Sequence, residues 1–341
     1  MWNKLKTMTK PKNWLLIILF MFQALINLSF SDNDDYFSII ILPDTQYYTS
    51  RFPDMMYKQM DWIVKNKYLL NIQYVVHMGD ITDNNKEYAW EVASSSYKTL
   101  ENSGIPYSIV CGDNDIKNTL KNDYDGIRHT ELLNKYFPVS RFDKPGSWWR
   151  GAFCERGKID NYYCLFSYRK YNFMIMNLEI APRSSVLKWA DNICSLNSSE
   201  KIIVVTHDYL DSEGKRLDDL KSFGMDGKDI AGKRKGNNAD EMFKKLIKKN
   251  PNILMVLCGH KNGTYEKTVK ISTDSEKTRK VFEILTDFQD EKLKGSDERS
   301  GKGLLRVLKI YPEKNEFALS TVSALTGRTK DDEIQLYMNE K

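Results

Sequence analysis

Three aspartates and two histidines, spread from position 44 to position 260, each stand directly behind an apolar run. The clusters are Asp44-Thr45-Gln46, Gly79-Asp80-Ile81-Thr82-Asp83, Gly112-Asp113-Asn114-Asp115, Thr206-His207-Asp208 and Gly259-His260-Lys261-Asn262. Carboxylate and amide oxygens mixed with imidazole nitrogens suit Zn, Mn, Fe or Mg. The set supplies enough donors for two divalent ions. One such acid alone is usually an ordinary helix cap. Three acids and two histidines in this order are not explained that way.

The elements that must position these groups follow from the runs in front of them. Ile39 to Leu42, Tyr74 to His77, Ser108 to Cys111, Ile202 to Val205 and Ile253 to Cys258 are rich in β-branched or large apolar residues. Each reads as a buried strand that ends in a polar loop. If the strands lie side by side, their C-terminal ends bring the clusters to one edge of a sheet, where α/β folds place ligands. Helical periodicity at Met55 to Lys67, Tyr88 to Glu101, His129 to Tyr136, Ser185 to Cys194 and Ala239 to Lys249 alternates with them in a β-α-β pattern. Beyond Cys258 the pattern changes. Lys267 to Ile271, Lys280 to Asp287, Gly303 to Tyr311 and Glu316 to Val322 read as extended segments, which predicts a second, mostly antiparallel sheet. Arg141 to Asn161 reads as a long loop over the site. Trp148 and Trp149 then form an apolar plug beneath it. His77 is expected to be packed and hydrogen-bonded within its strand, and His129 to be exposed.

The charge balance narrows the partners. Residues 1–31 hold Lys4, Lys6, Lys10 and Lys12 and no acid, so the formal charge of +5 falls to about +1 without them. A near-neutral body makes no electrostatic case for nucleic acid. The lysines precede an apolar stretch, Trp14 to Ile26, and then Ser29-Phe30-Ser31, the layout of a secretory signal cleaved after Ser31. The competing reading is a membrane anchor over residues 14–30, close to the roughly 20 residues that span a bilayer. Either places residues 32–341 outside the cytosol as one domain, since no linker or repeat divides them. Of the five cysteines, Cys154 and Cys164 are the best-spaced disulfide pair, while Cys111 and Cys258 read as buried strand ends.

In order and type the clusters resemble the calcineurin-like metallophosphoesterases, whose pattern runs D-x-H, G-D-x-x-D, G-N-H-D/E, a lone H and G-H-x-H. The likeness is nearest to the branch that opens P-D-T-Q, here Pro43 to Gln46, and extends from Phe37 to about Val322. Gly157 to Asn161, Val205 to Leu210 and Asn252 to His260 resemble that branch too. The resemblance implies an α/β fold of two mixed β-sheets packed as a sandwich and flanked by helices. It also implies a phosphoester hydrolase that uses hydroxide held between two divalent ions (Mn, Fe, Zn or Mg). Asp44 and Gln46 would serve the first ion, Asp80 would bridge, and Asp113, His207 and His260 would hold the second. Asp80, Asn114 and Asp83 would form the catalytic set, with Asp83 and Asp208 keeping the ligands in register.

Departures from that pattern bear on activity. Gln46 offers a neutral amide where a histidine would bind more tightly. Asn262 replaces the second histidine of G-H-x-H, which leaves the first ion weakly held. Asn114 replaces the histidine beside the leaving group and cannot supply a proton. Asp113, by contrast, adds a charge where the family has a neutral amide, so the second ion should be firmly bound. The alternative reading is a weakly active or inactive member of the fold that serves as a binding or structural module. The substrate is a phosphoester of open class, and the N-terminal segment is a potential membrane tether. Asn197 and Asn262 both open sugar-acceptor triplets, of which Asn197 is the better placed.

Overall fold

Strands that bury both faces need continuous apolar runs, and the runs identified above have that burial. The computed structural model describes residues 35–121, 125–143, 148–152, 157–218, 220, 236–262, 268–273, 279–292, 298–329 and 333–338. In chain order its strands are β1 (Phe37–Leu42), β2 (Ile72–His77), β3 (Tyr107–Ile109), β4 (Trp149–Ala152), β5 (Tyr162–Tyr168), β6 (Tyr171–Asn177), β7 (Lys201–Val205), β8 (Ile253–Cys258), β9 (Val269–Thr273), β10 (Lys280–Leu285), β11 (Leu304–Tyr311), β12 (Glu316–Ser323) and β13 (Ile334–Tyr337). Phe37–Lys341 make one compact unit. The segment read as a signal or anchor lies outside the described residues.

The strands form two sheets, ordered β13-β12-β11-β1-β2-β3 and β4-β5-β6-β7-β8-β10-β9. Both are mixed. In the first, β1, β2 and β3 run parallel while β11 joins β1 antiparallel. In the second, β6, β7, β8 and β10 run parallel between antiparallel edges. The fold is therefore α/β with two mixed sheets, but the five cluster-bearing strands do not share one of them. β1, β2 and β3 lie in the first sheet and β7 and β8 in the second, so the clusters meet at one end of a sandwich. The segments beyond Cys258 also do not build a sheet of their own. Strands β9 and β10 extend the second sheet, and β11, β12 and β13 extend the first.

Packing explains why the ends are fixed. Along β6 and β7, Phe173, Ile175, Ile203 and Val205 face the core shared by the two sheets. Their neighbours Met174, Met176, Ile202 and Val204 face a second cluster under helix Ser184–Leu196. Between the sheets, Tyr74 of β2 stacks on Phe166 of β5 at 5.1 Å. Helices Pro53–Lys65 and Glu87–Asn102 flank the first sheet, where the Gln59 amide donates to the Leu304 carbonyl at 3.0 Å and Tyr97 meets the Tyr107 ring at 4.7 Å. Ile39, Ile40 and Ile41 are all fully buried, about 2 kcal/mol each. A one-residue slip would turn this set over and move Asp44 off the sheet end.

Three details differ from the sequence reading. The stretch Arg141 to Asn161 is not all loop, because Trp149–Ala152 pairs with β5 as an edge strand. Trp149 stacks on Tyr162 at 5.1 Å and Trp148 donates to the Tyr107 carbonyl at 2.9 Å, as a plug requires. The segment Ala239 to Lys249 opens as an α-helix over Ala239–Met242 with an Asn238/Glu241 capping box, then widens to a π-turn over Phe243–Ile247. Cys164 is a buried free thiol directed into the core opposite Trp149, which corrects the pairing with Cys154; Cys154 itself lies outside the described residues.

Candidate metal centre

Asp80, Asp113, His207 and His260 converge, one from each of four strand ends, with a donor atom from each within 4.8 Å of the others. The loops that carry them are unusual backbone. Asp80 sits at φ +51° and His260 at φ +74°, a region that costs side-chain-bearing residues energy and clusters at functional sites. What holds them there is visible. Asp115, fully buried, accepts from the amides of Ile81 at 3.0 Å, Thr82 at 2.8 Å and Gly112 at 2.9 Å, and from the Thr82 hydroxyl at 2.8 Å. It ties the loops behind β2 and β3 together.

The two histidines are held differently. Nδ1 of His207 donates to the Met78 carbonyl at 2.8 Å, which crosses between the sheets and fixes the proton on that nitrogen. Nε2 is left facing the carboxylates of Asp113 at 3.1 Å and Asp80 at 3.4 Å. Nδ1 of His260 lies 2.9 Å from the same Asp113 oxygen. A carbonyl or carboxylate that fixes one ring nitrogen so that the other can bind a cation is the usual arrangement around metal-bound imidazole.

Electrostatics indicate which charge the pocket lacks. Burial, reinforced by Asp113, pushes the Asp80 carboxyl well above its ordinary range. Burial likewise raises Asp44, helped by Asp287 and Asp80. Burial opposes a charge on His207, yet Asp80, Asp44 and Asp113 outweigh it and hold the imidazole well above its usual value. Burial works against an ionised Asp113 too, but hydrogen bonds from His207 and His260 hold it well below the carboxylate range. Strongly shifted carboxylates and imidazoles gathered in one place are a mark of functional sites. A divalent ion suits such a set, because binding one would displace the protons on its ligands. Two orphaned oxygens agree: Gln46 Oε1 and Asp208 Oδ1 are buried without a hydrogen-bond partner, a costly state unless something else meets them.

The sequence model of the calcineurin-like phosphoesterases matches residues 37–262. The chain belongs to that family. YvnB of Bacillus subtilis, named only as an uncharacterized protein, is 28% identical over 292 residues. The match covers 85% of this chain and 20% of YvnB, so the chain spans about a fifth of that relative. A dimetal phosphatase from Danio rerio shares the fold at a TM-score of 0.52 and 13% identity, over 90% of this chain and 100% of its own. Purple acid phosphatase PPD1 of yellow lupin (Lupinus luteus) does so at 0.51 and 11%, over 90% and 55%. GAP50, the anchor in the inner membrane complex of Plasmodium, does so at 0.50 and 14%, over 90% of each chain.

Within this calcineurin-like phosphoesterase, the remaining residues singled out by sequence fall into place unevenly. Asp44 is buried and takes long contacts from the His260 amide at 3.3 and 3.4 Å. The Gln46 amide donates to the Gln289 side chain. Asn114 reaches Asp80 twice, through its backbone N–H at 2.8 Å and Nδ2 at 2.7 Å. Asn262 turns to Asp290 instead of the cluster. Asp83 faces Asn84 and Arg51, while Asp115 is the carboxylate that bonds the loops carrying Asp80 and Asp113. Asp208 lies 3.8 Å from His260 Nε2. His77 is buried and satisfied, accepting from Gly79 N at 3.1 Å and bonded to the Thr45 hydroxyl at 2.9 Å. His129 is half-buried and held by Asp125 at 3.1 Å, not free in solvent. Two residues escaped the sequence reading. Lys117 meets Asn114 Oδ1 at 2.7 Å, and Asp287 is buried at the same end of the sandwich as Asp44. Asp287 carried the same signal as the others, an acid just behind an apolar strand.

Proposed function

We propose that this chain is a metal-dependent phosphoester hydrolase that works outside the cytosol. The observation that carries the proposal is the convergence of Asp80, Asp113, His207 and His260 in a buried pocket of a calcineurin-like phosphoesterase. Asp80, Asp113, His207 and His260 would hold one divalent ion, and Asp44, Gln46 and Asp80 a second. Such ions supply Lewis-acid activation of the phosphoryl group and lower the pKa of a bound water.

The chain's own residues do the positioning. His207 keeps Nε2 toward the pocket because its other nitrogen is committed to Met78. Asn114 locks the Asp80 carboxylate with two hydrogen bonds, and Lys117, bonded to the Asn114 oxygen, sets a positive charge one side chain away. Asn114 can donate a hydrogen bond to a phosphate oxygen but cannot protonate a leaving group. General acid catalysis typically contributes about 10²–10⁴-fold, so esters with good leaving groups should react best. Export is supported by Lys4, Lys6, Lys10 and Lys12 ahead of the apolar run Trp14 to Ile26, and sequencing the N-terminus of the mature protein tests it.

The rival reading is a binding module, motivated by Asn114 and Asn262; GAP50, an anchor, shows that the fold occurs in proteins described by other roles. Turnover of aryl phosphate mono- and diesters with added Mn²⁺, compared with Asp80→Ala, separates the two. Metal-dependent turnover that falls at least about 100-fold in the variant supports hydrolysis, in line with the sensitivity of catalysis to ligand placement. Equal turnover in both proteins leaves the binding module.

A further inference from the structure

Two buried carboxylates, Asp44 and Asp287, lie at the same end of the sandwich and are linked through the side chains of Gln46 and Gln289, with no lysine or arginine paired to either among the described residues. This placement follows from the topology. β10 runs parallel to β8, with Leu285 opposite Cys258, and the Thr286 amide donates to the Cys258 carbonyl at 2.8 Å. Asp287 therefore leaves the sheet beside Gly259 and His260, at the end where the other donors gather. Only 2% exposed, its carboxylate accepts from the Gln289 backbone N–H at 2.9 Å and from Gln289 Nε2 at 3.2 Å. Gln289 Oε1 in turn takes the Gln46 amide, which leaves Gln46 Oε1 buried and without a partner.

We propose that Asp287 is a ligand of the divalent ion on the Asp44 side, completing with Asp44, Gln46 and Asp80 the set that Asn262 does not serve. The inference rests on the metal-dependent reading above. Carboxylates buried at one end of the sandwich without a cationic side chain are costly to keep charged, and a divalent ion that both could ligate would offset that cost. Asn262 is committed to Asp290, so the carboxylate of Asp287 supplies the charged donor that the G-H-x-N sequence lacks. The orphaned oxygen of Gln46 gains a partner in the same step. With Asp287 the ion on the Asp44 side has three charged ligands, Asp44, Asp80 and Asp287, rather than two.

The test is metal stoichiometry of the full chain. Protein stripped with a chelator is dialysed against Mn²⁺ at graded concentration and the bound metal counted, for the unmodified chain, Asp287→Asn and Asp113→Asn. The expected result is two Mn²⁺ per chain, with Asp287→Asn keeping one at unchanged affinity and binding the other at least about tenfold more weakly. Two ions bound to Asp287→Asn with undiminished affinity would overturn the inference. So would a single ion that persists in Asp287→Asn and is lost in Asp113→Asn, although the hydrolase reading would survive that result. No bound metal in the unmodified chain would remove both. Melting temperatures guard against a mere folding effect. Without metal, Asp287→Asn should melt at or above the unmodified chain, because a buried like charge is gone, and its gain on adding Mn²⁺ should be smaller. A lower melting point with an undiminished Mn²⁺ gain would make Asp287 a loop cap and overturn the inference.

Discussion

Gly112 and Gly259 provide a steric probe of the pocket. A Cβ at Gly112 would lie 2.1 Å from Asp80 Oδ1 and 2.3 Å from the Asp80 backbone nitrogen, whereas ordinary contact begins near 3.4 Å. The carboxylate would have to retreat by roughly 1 Å, a displacement that costs catalysis on the order of 100-fold. Rotating the side chain does not relieve the clash with the nitrogen, and Asp80 already sits at φ +51°. Gly112→Ala should therefore lower kcat/KM by about 100-fold or more, weaken both ions, and cost about 1–3 kcal/mol of stability. At Gly259 the added atom meets Asp44 Oδ1 at 2.4 Å but no backbone nitrogen. Gly259→Ala should weaken only the ion on the Asp44 side. Gly104 is the control, with φ +61° and no atom within 4 Å of an added Cβ; Gly104→Ala should cost about 1 kcal/mol of backbone strain and leave the kinetics alone. The assays are aryl phosphate turnover with Mn²⁺, metal content and urea unfolding. Activity and metal content of Gly112→Ala within about threefold of the unmodified chain would refute the placement of Asp80 at the centre of the site.

Other perturbations test the supports. Burial, with His207 as a lesser cause, holds the His77 imidazole down to about 3 from an ordinary 6.5. The folded chain thus binds fewer protons than the unfolded chain between those values. Its contribution is complete above about pH 6.5 and is lost as pH falls toward 3, up to roughly 5 kcal/mol by linkage. His77→Gln should flatten the fall in unfolding free energy between pH 7 and pH 4, and an unchanged slope would contradict this. Asp115→Ala strands the amides of Ile81, Thr82 and Gly112, each worth about 1–3 kcal/mol when left unsatisfied; a measured loss below about 1 kcal/mol would show that water replaces the carboxylate. Asn114→His should accelerate esters with poor leaving groups more than those with good ones. A uniform gain, or none, would mean that proton donation does not limit the rate.

Much of the fold was legible because burial on both faces leaves a plain mark. Ile39 to Leu42 and Ile253 to Cys258 have no polar alternation, and both are central strands. The β5–β6 hairpin was missed for a local reason. Its turn is Arg169-Lys170, with Arg169 at φ +53°, and lacks the Gly or Asn that normally marks a tight turn. Sheet membership was not legible either, since an apolar run specifies burial but not the neighbour. The site followed the same division. Donors next to strand ends could be read from spacing, including Asp80, Asp113, His207 and His260. The distinction between Asp83 and Asp115 could not, because it depends on which side of a turn faces Gly112. Asp287 belongs to none of the motifs that carry the resemblance, although its signal matched that of Asp44.

The central claim is that acids and imidazoles from four loops share a cation. Anomalous X-ray diffraction at the manganese edge, from crystals of the chain grown or soaked with Mn²⁺, tests it most directly. The account predicts a peak in ligand contact with Asp80, Asp113, His207 and His260. Ordered density for those four side chains with no anomalous signal among them, at Mn²⁺ concentrations that saturate turnover, would contradict it.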